Sequence, residues 1–252
     1  SQRGCDVDFK PGLKPAELRA IVGNYQGLAI RSATKVTAEV LAAAPRLRVV
    51  GRAGIGVDNI DVDAATQRGV VVMNTPFGNS VTTAEHAISL MLATARQIPS
   101  ADRSTRAGKW EKSRFMGVEL MGKVLGLIGC GNIGSIVADR AHGLKMRVIA
   151  YDPFLSPERA IDLGVEKVEL ETLLQRADFI SLHTPLTEQT RNILSRENLR
   201  KTKPGLRIVN CARGGLVDEA AVAELVRAGH IAGAAFDVFA VEPAKQSPLF
   251  EL

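Results

Sequence analysis

Three glycines in the segment VLGLIGCGNIG could bind phosphate groups. Gly129, Gly131 and Gly134 have the G-x-G-x-x-G spacing, between an apolar run and a helical pattern. In such a loop the first glycine permits a tight turn, the second lets the backbone approach a pyrophosphate, and the third allows close helix–strand packing. The N–H groups where the helix begins, near Asn132 and Ile133, then bind phosphate oxygens. The pattern predicts a dinucleotide site, although a purely structural glycine turn is an alternative.

An acidic residue follows the next apolar run. Asp152 stands after Tyr151, close to the usual distance of about 20 residues from the glycine motif. A carboxylate there accepts hydrogen bonds from the adenine-side ribose and repels a 2′-phosphate. The residues that follow, Pro153 to Leu155, include no arginine that could receive such a phosphate. The sequence therefore predicts NAD rather than NADP.

Two further polar segments follow predicted strands, at the strand ends where α/β sheets bind ligands. In NCARGG (210–215), Arg213 lies beside flexible glycines and is suited to hold a carboxylate through two hydrogen bonds. In DVFAVEP (237–243), Asp237 and Glu242 lie close together. The alternative interpretation of these acids is structural, with Asp237 as a helix cap and Glu242 as a solvated side chain.

Two arginines near the N-terminus follow predicted strands of their own. Arg52 begins the segment RAGIGVDN, and Arg31 follows the run GLAI. The glycines after Arg52 let backbone N–H groups approach an anion, and the guanidinium adds charge. Arg31 and Arg52 together predict an anion site, whereas each taken alone could form a surface salt bridge.

The four histidines show no metal-ligand or base–nucleophile pattern. We expect His142 at the surface, and His86 in the core or as a cap on a long helix. His183 ends a strand and is expected to line the cofactor site without a chemical role. His230 precedes a strand.

Short apolar runs alternate with helical patterns, which indicates an α/β fold with mainly parallel sheets. The predicted strands are 5–9, 27–30, 47–51, 70–73, 124–129, 146–151, 178–183, 206–210 and 233–238. The predicted helices include 15–22, 37–44, 134–144, 169–176 and 218–228.

The alternation breaks between Asn74 and Gly122. The segment TTAE (82–85) has a capping-box pattern, and apolar residues then recur at helical spacing as far as Ala95. This predicts one long helix followed by a polar, basic stretch. We therefore place a boundary near Asn74–Thr75 and expect two domains, residues 1–74 and 75–252, packed around a cleft.

The composition excludes several classes of protein. With 46% apolar and 23% charged residues, the chain is not disordered. It has neither an apolar run of about 18 residues nor an apolar leader, so we expect no membrane span or secretory signal. Three scattered cysteines fit a reducing compartment, and hence the cytoplasm. The net charge of +5, without a block of like charges, suits small anionic ligands better than nucleic acid.

Several motifs together resemble the D-2-hydroxyacid dehydrogenase family. They are RAGIGVDNID (52–61), NTPFGNS with AEH (74–80 and 84–86), the glycine motif, NCARGG and DVFAVEP, in the family's order. The resemblance implies two Rossmann-like domains: a flavodoxin-like substrate domain that is incomplete at its N-terminus, and an NAD-binding domain. It also implies a homo-oligomer, with the long helix in a homodimer contact.

The resemblance also implies roles for individual residues. NAD would lie across Gly129–Gly134, with Asp152 on its ribose. The nicotinamide side would be lined by Thr184, Cys211, Ala212 and Asp237. Arg213 would bind the substrate carboxylate and carbonyl, and Glu242 would orient a catalytic histidine. A substrate phosphate would be bound by Arg31, Arg52 or Asn79.

Within the family, RAGIGVDNID resembles the enzymes that act on phosphoglycerate. This resemblance implies NAD-dependent oxidation of 3-phospho-D-glycerate to 3-phosphohydroxypyruvate, the first step of L-serine biosynthesis. The family's histidine would lie beyond Leu252, so we expect a fragment that is shortened at both ends. We expect this fragment to catalyse poorly alone, because a positioned acid/base contributes about 10²–10⁴-fold in rate. Two alternatives stay open. One is a glyoxylate or hydroxypyruvate reductase without phosphate contacts, and the other is a non-catalytic, NAD-sensing binding protein.

Overall fold

The computed structural model describes residues 4–252, which form two compact units, residues up to Asn79 and Ser80–Leu252. Each unit contains one parallel sheet flanked by helices, which confirms the predicted α/β class with mainly parallel sheets. The division between the units, at Asn79–Ser80, lies slightly C-terminal to the domain boundary predicted near Asn74–Thr75. No helix among the described residues is both long and apolar enough to cross a lipid bilayer.

The first unit has a three-stranded sheet in the order β1-β2-β3. Its elements are β1 (Gly27–Ile30), β2 (Val49–Arg52), β3 (Val71–Asn74), α1 (Pro15–Ile21), α2 (Ala38–Ala42) and α3 (Val62–Gln67), with a 3₁₀ turn at Val22–Asn24. The side chains of Thr37 and Asp61 accept hydrogen bonds from backbone N–H groups in the first turns of α2 and α3. These caps place both helix starts just after the polar loops that follow β1 and β2.

The predicted strand at Cys5–Phe9 is wrong. Residues 5–9 form neither helix nor strand, and Val7 and Phe9 are 70% and 88% exposed. Alternating apolar residues form a strand only when their backbone groups find a partner strand. In the described chain the sheet ends at β1, and residues 5–9 pair with no strand.

The second unit has a six-stranded parallel sheet in the order β6-β5-β4-β7-β8-β9. Its strands are β4 (Val124–Ile128), β5 (Arg147–Tyr151), β6 (Glu166–Lys167), β7 (Phe179–Leu182), β8 (Leu206–Asn210) and β9 (Ile231–Phe236). Its helices are α4 (Ser80–Arg96), α5 (Ile98–Arg106), α6 (Asn132–Gly143), α7 (Pro157–Asp162), α8 (Leu170–Arg176), α9 (Arg196–Arg200) and α10 (Glu219–Arg227), with a 3₁₀ turn at Lys112–Phe115. The strand order reverses between β4 and β7, and doubly wound sheets bind ligands beside such a point.

The segment between the two predicted domains differs from the expectation. Helix α4 begins at Ser80, so the TTAE segment lies inside the helix and is not a capping box. Gln97 adopts a left-handed conformation, with φ of 54°, and separates α4 from α5. The polar stretch after Arg96 therefore contains a second helix. The sequence pattern missed α5 because its nine residues, IPSADRSTR, are mostly polar, with Ile98 and Ala101 too few to show a clear helical repeat of apolar residues.

The core of the second unit consists of one apolar layer on each face of the sheet. Helices α4 and α6 cover one face, where Met91 and Phe179 are buried. On the other face α8 and α10 place Leu173 and Val222 against the sheet. All residues of β7 and β8 are buried, so these two interior strands hold the polar loops that follow them, which are described below, in place.

We expect Leu173→Ala to lower the free energy of unfolding of the second unit by about 2–5 kcal/mol, because it leaves a cavity between α8 and the sheet. The matched control is Ile161→Ala on α7, where the side chain is 79% exposed and the change should stay within about 0.5 kcal/mol. Urea denaturation measures both variants. Equal effects at the two positions would contradict this assignment of the core.

Candidate functional site

The polar segments of the second unit lie at one edge of its sheet. Because all six strands are parallel, the loops that follow them emerge at the carboxyl edge. This edge carries the glycine motif after β4, Asp152 after β5, His183 and Thr184 after β7, Cys211 to Arg213 after β8, and Asp237 after β9.

The glycine loop has two crowded glycines and one open glycine. A Cβ atom on Gly129, whose φ is +93°, would lie 2.6 Å from the carbonyl oxygen of His183. A Cβ on Gly134 would lie 2.4 Å from the carbonyl oxygen of Gly129. A Cβ on Gly131 would meet no atom within 4 Å. The outer glycines therefore allow close packing, whereas Gly131 leaves open space above the loop.

The open space at Gly131 lies where a pyrophosphate would bind. Helix α6 begins at Asn132, and Gly131 supplies no side-chain cap for its first N–H groups. Such N–H groups, together with the helix dipole, favour an anion. The Cβ-free space and the uncapped helix start fit the diphosphate of a dinucleotide.

Asp152 is fixed by two backbone hydrogen bonds. Its Oδ2 accepts from the N–H of Cys130 at 2.8 Å, and its Oδ1 accepts from the N–H of Phe154 at 2.8 Å. Each carboxylate oxygen keeps a further lone pair for a ribose hydroxyl. The same side chain thus ties the end of β5 to the glycine loop.

The loops that carry Arg213 and Glu242 touch through their backbones. A Cβ on Gly214 would lie 1.8 Å from the carbonyl oxygen of Phe239, so no larger residue fits there. The Oε1 of Glu242 accepts a hydrogen bond from the N–H of Phe239 at 3.1 Å. The structure therefore brings Arg213 and Glu242 onto adjoining segments.

Two positioning residues were not identified from the sequence. Asn210 is 1% exposed, and its side chain bonds the N–H of Ala212 at 3.1 Å and the carbonyl of Arg213 at 2.9 Å. Glu219 accepts hydrogen bonds from the N–H of Ala240 and from Ser247 Oγ, both at 2.7 Å. Glu219 begins α10, where an acid is ordinary, so only the folded chain shows that it holds the Asp237–Pro243 segment.

His86 does not occupy the predicted core or cap position. It is half-exposed on α4, and its Nε2 lies 3.5 Å from Oδ1 of Asp237. Helix α4 buries Ala84, Ala87 and Met91 against the sheet, and His86 lies outside this stripe. The sequence pattern could not reveal the pair because its two members are far apart along the chain.

His183 is a neutral histidine beside the glycine loop. Its Nε2 and Ser181 Oγ are 2.8 Å apart, and its Nδ1 is buried without a hydrogen-bond partner among the described residues. Burial lowers the pKa of His183 from 6.5 to about 4. The imidazole is therefore uncharged near neutral pH.

Cys130 and Cys211 contribute backbone groups rather than reactive thiols. Both side chains are buried. Burial, reinforced by the charge of Asp152, raises the pKa of Cys130 to about 11, and burial with the charge of Asp237 raises the pKa of Cys211 to about 12. Within residues 4–252 no group of three or more His, Cys, Asp or Glu side chains is arranged to hold a metal ion.

The predicted anion ligands of the first unit differ in exposure. Ile30 pairs with Arg52 in the sheet register, so Arg31 and Arg52 stand at neighbouring strand ends. Arg52 is only 9% exposed, and its Nε is buried without a hydrogen-bond partner in the described chain. Its Nη1 would be 2.6 Å from a Cβ on Gly54. Arg31 and Asn79 are exposed.

Comparison with known proteins identifies the family of this chain. Residues 88–252 match the D-isomer specific 2-hydroxyacid dehydrogenase, NAD binding domain. Over 252 residues the chain is 51% identical to D-3-phosphoglycerate dehydrogenase of Archaeoglobus fulgidus, covering 100% of this chain and 48% of that protein. It is 55% identical over 247 residues to D-3-phosphoglycerate dehydrogenase of Mycobacterium tuberculosis, covering 98% of this chain and 47% of that protein. The chain thus spans about half the length of the curated relatives it matches.

Solved structures also resemble the chain along most of its length. The TT0316 protein from Thermus thermophilus has a TM-score of 0.92 and 38% identity, covering 100% of this chain and 81% of that one. A glyoxylate reductase from Paecilomyes thermophila has a TM-score of 0.84 and 33% identity, and the match covers 90% of this chain and 71% of the reductase. D-lactate dehydrogenase from Aquifex aeolicus, complexed with NAD and lactic acid, has a TM-score of 0.81 and 29% identity, covering 88% and 66%.

We expect Gly131→Ala to weaken NADH binding by about tenfold or more without destabilising the fold, because its methyl group enters only the open space above the loop. The control is Gly143→Ala in α6, where a Cβ also meets nothing within 4 Å. That change should leave NADH affinity unaltered and stabilise the helix by up to about 1 kcal/mol. Fluorescence titration and urea denaturation test both variants. Unchanged NADH binding by Gly131→Ala would contradict the diphosphate site.

His183 should make the second unit less stable in acid. Its pKa is about 4 when folded and 6.5 when exposed, so the unfolded chain binds more protons between these values and stability rises with pH until about pH 6.5. We expect His183→Gln to reduce the stability difference between about pH 5 and pH 7 by about 2 kcal/mol. His142→Gln is the control. An identical pH dependence in His183→Gln and the unmodified protein would show that His183 is not buried as a neutral group.

The family match and the geometry concern the same residues. The matched region contains the glycine loop, Asp152, Arg213, Asp237 and Glu242. The space above Gly131 and the two remaining lone pairs on Asp152 fit the diphosphate and ribose of NAD. The chain belongs to the D-isomer specific 2-hydroxyacid dehydrogenase family, and NAD is its cofactor.

Proposed function

We propose that the protein oxidises 3-phospho-D-glycerate to 3-phosphohydroxypyruvate with NAD, the first step of L-serine biosynthesis. The observation that carries this proposal is the 51% identity, over all 252 residues, to a protein named D-3-phosphoglycerate dehydrogenase. The geometry supports it because the segments that carry Arg213 and Glu242 pack together at the same edge of the sheet as the glycine loop.

In this proposal the cofactor lies along the carboxyl edge of the six-stranded sheet. Backbone N–H groups from Gly131 to Ile133 hold the diphosphate, and Asp152 holds the adenine-side ribose. The reversal of strand order after β4 directs the other half of the dinucleotide towards β7, β8 and β9. Thr184, Cys211, Ala212 and Asp237 are the residues that line this nicotinamide half.

Arg213 is the substrate-binding and catalytic arginine of the proposed reaction. Its guanidinium binds the substrate carboxylate and polarises the carbonyl that forms at C2. The contact of Gly214 with Phe239 and the hydrogen bonds of Asn210 keep the Arg213 segment in place. Substrate binding therefore costs little conformational entropy in this loop.

Glu242 is proposed, on the family resemblance, to act through a catalytic histidine. The carboxylate orients that imidazole and raises its basicity, so that it accepts the hydroxyl proton of the substrate. Bound NAD supplies the acceptor for the hydride that leaves C2. Glu242 is itself oriented by the N–H of Phe239.

The substrate phosphate is assigned to Arg31, Arg52 and Asn79 of the first unit. Arg52 supports this assignment best, because its nearly buried guanidinium keeps an unpartnered Nε and lies against the glycine segment after β2. A buried N–H group without a hydrogen-bond partner is costly, and a phosphate oxygen bound to it would offset that cost. On the family resemblance alone, we also propose a cytoplasmic homo-oligomer, with α4 in a homodimer contact.

A reductase of glyoxylate or hydroxypyruvate is the second candidate. It is favoured by the similarity to the Paecilomyes thermophila glyoxylate reductase, although the identity of 33% is lower than that of the phosphoglycerate relatives. Such an enzyme would use Arg213 and Glu242 in the same way. It would differ in making no use of the arginines of the first unit.

Turnover of phosphorylated and unphosphorylated keto acids distinguishes the two candidates. With the full-length protein, NADH consumption should be faster with 3-phosphohydroxypyruvate than with hydroxypyruvate or glyoxylate. We expect Arg52→Gln to lower kcat/KM for 3-phosphohydroxypyruvate by about 10–100-fold, and to change kcat/KM for hydroxypyruvate by less than about threefold.

The control for Arg52→Gln is Arg48→Gln, because Arg48 is exposed just before β2. Equal kcat/KM for all three keto acids, with no selective effect of Arg52→Gln, would contradict the phosphoglycerate assignment and support the reductase. NADH binding without turnover of any keto acid would support a binding protein.

A further inference from the structure

We propose that His86 is a positioning residue for the nicotinamide carboxamide of the cofactor and acts through Asp237. The inference rests on the cofactor placement proposed above. It assigns a role in the second unit to a histidine for which the sequence pattern indicated only a core or capping position.

The topology places Asp237 at the nicotinamide half of the site. Asp152 and the glycine loop follow β5 and β4, on one side of the point where the strand order reverses. Asp237 follows β9, on the other side of that point. A dinucleotide whose ribose and diphosphate bind at β5 and β4 therefore presents its second base towards the ends of β7 to β9.

The backbone of Asp237 is fixed, whereas its carboxylate needs a partner to define its direction. Its N–H donates to the carbonyl of Asn210 at 3.0 Å, which ties it to the end of β8. Its side chain is 57% exposed, so burial alone does not fix its rotamer. The 3.5 Å contact of Oδ1 with Nε2 of His86 supplies that partner.

His86 can direct the carboxylate because its helix is firmly anchored. Helix α4 packs against β8 and β9, and its buried stripe includes Ala84 and Ala87, two residues before and one residue after His86. The position of the imidazole therefore follows from the packing of the helix and does not depend on the contact with Asp237. With a proton on Nε2, His86 attracts Oδ1 of Asp237 across this 3.5 Å approach and leaves Oδ2 for another donor.

The chemistry of a carboxamide matches this arrangement. Its NH₂ group is a donor, and an ionised carboxylate is an acceptor only. A carboxylate already oriented by His86 can accept from the carboxamide without first losing rotamer freedom. His86 thus lowers the cost of orienting the nicotinamide ring and has no direct part in holding the adenine half.

The test compares NADH with ADP-ribose, which has the same diphosphate and adenine half but no nicotinamide. We expect His86→Ala to weaken NADH binding by about three- to fivefold, as fits a half-exposed pair, and to leave ADP-ribose binding unchanged. His86→Gln should recover part of the NADH affinity because its amide provides an N–H donor. Isothermal titration calorimetry measures both ligands on the same protein.

Two further variants complete the test. Ser89→Ala is the control on the same helix, because Ser89 bonds only the carbonyl of Glu85 in the described structure, and both affinities should stay unchanged. In an Asp237→Ala background, His86→Ala should have no further effect on NADH binding.

An equal loss of NADH and ADP-ribose affinity in His86→Ala would overturn the inference, because it would show a general structural effect. Unchanged NADH affinity would overturn it as well. Failure of the unmodified protein to bind either ligand would instead contradict the cofactor site itself, so the two failures are distinguishable.

Discussion

At the carboxyl edge of the six-stranded sheet, polypeptide segments cross with no room for a side chain between them. Gly129 packs against the carbonyl of His183, and Gly214 packs against the carbonyl of Phe239. The first contact joins the glycine loop after β4 to the end of β7. The second joins the Arg213 segment after β8 to the segment after β9. The other features of the site depend on these two backbone contacts.

Because the loops are held by backbone contacts and by a few buried or partly buried side chains, the polar groups of the site are ordered before a ligand arrives. Asp152 ties β5 to the glycine loop, Asn210 holds the Arg213 segment, and Glu219 holds the segment that carries Glu242. Burial meanwhile keeps His183 neutral and makes Cys130 unreactive. Arg213 then stands at this edge together with the carboxylates of Asp152, Asp237 and Glu242.

The local patterns of the sequence predicted most of this edge, because each motif there is a strand, a loop and a helix start in continuous sequence. The glycine spacing, Asp152 and the strands before Arg213 and Asp237 are of this kind. The expectation at residues 5–9 failed because alternation does not reveal whether a partner strand exists. The contacts of His86 with Asp237 and of Gly214 with Phe239 join residues distant in sequence, so no local pattern encodes them. The substrate ligands Arg31, Arg52 and Asn79 stay predictions.

The most direct test of the central claim is a crystal structure of the protein with NADH bound. We predict that the diphosphate lies against the N–H groups of Gly131 to Ile133, a ribose on Asp152, and the nicotinamide carboxamide within hydrogen-bond distance of Asp237. A cofactor bound in the opposite direction, or one whose diphosphate avoids the Gly131 loop, would contradict this placement.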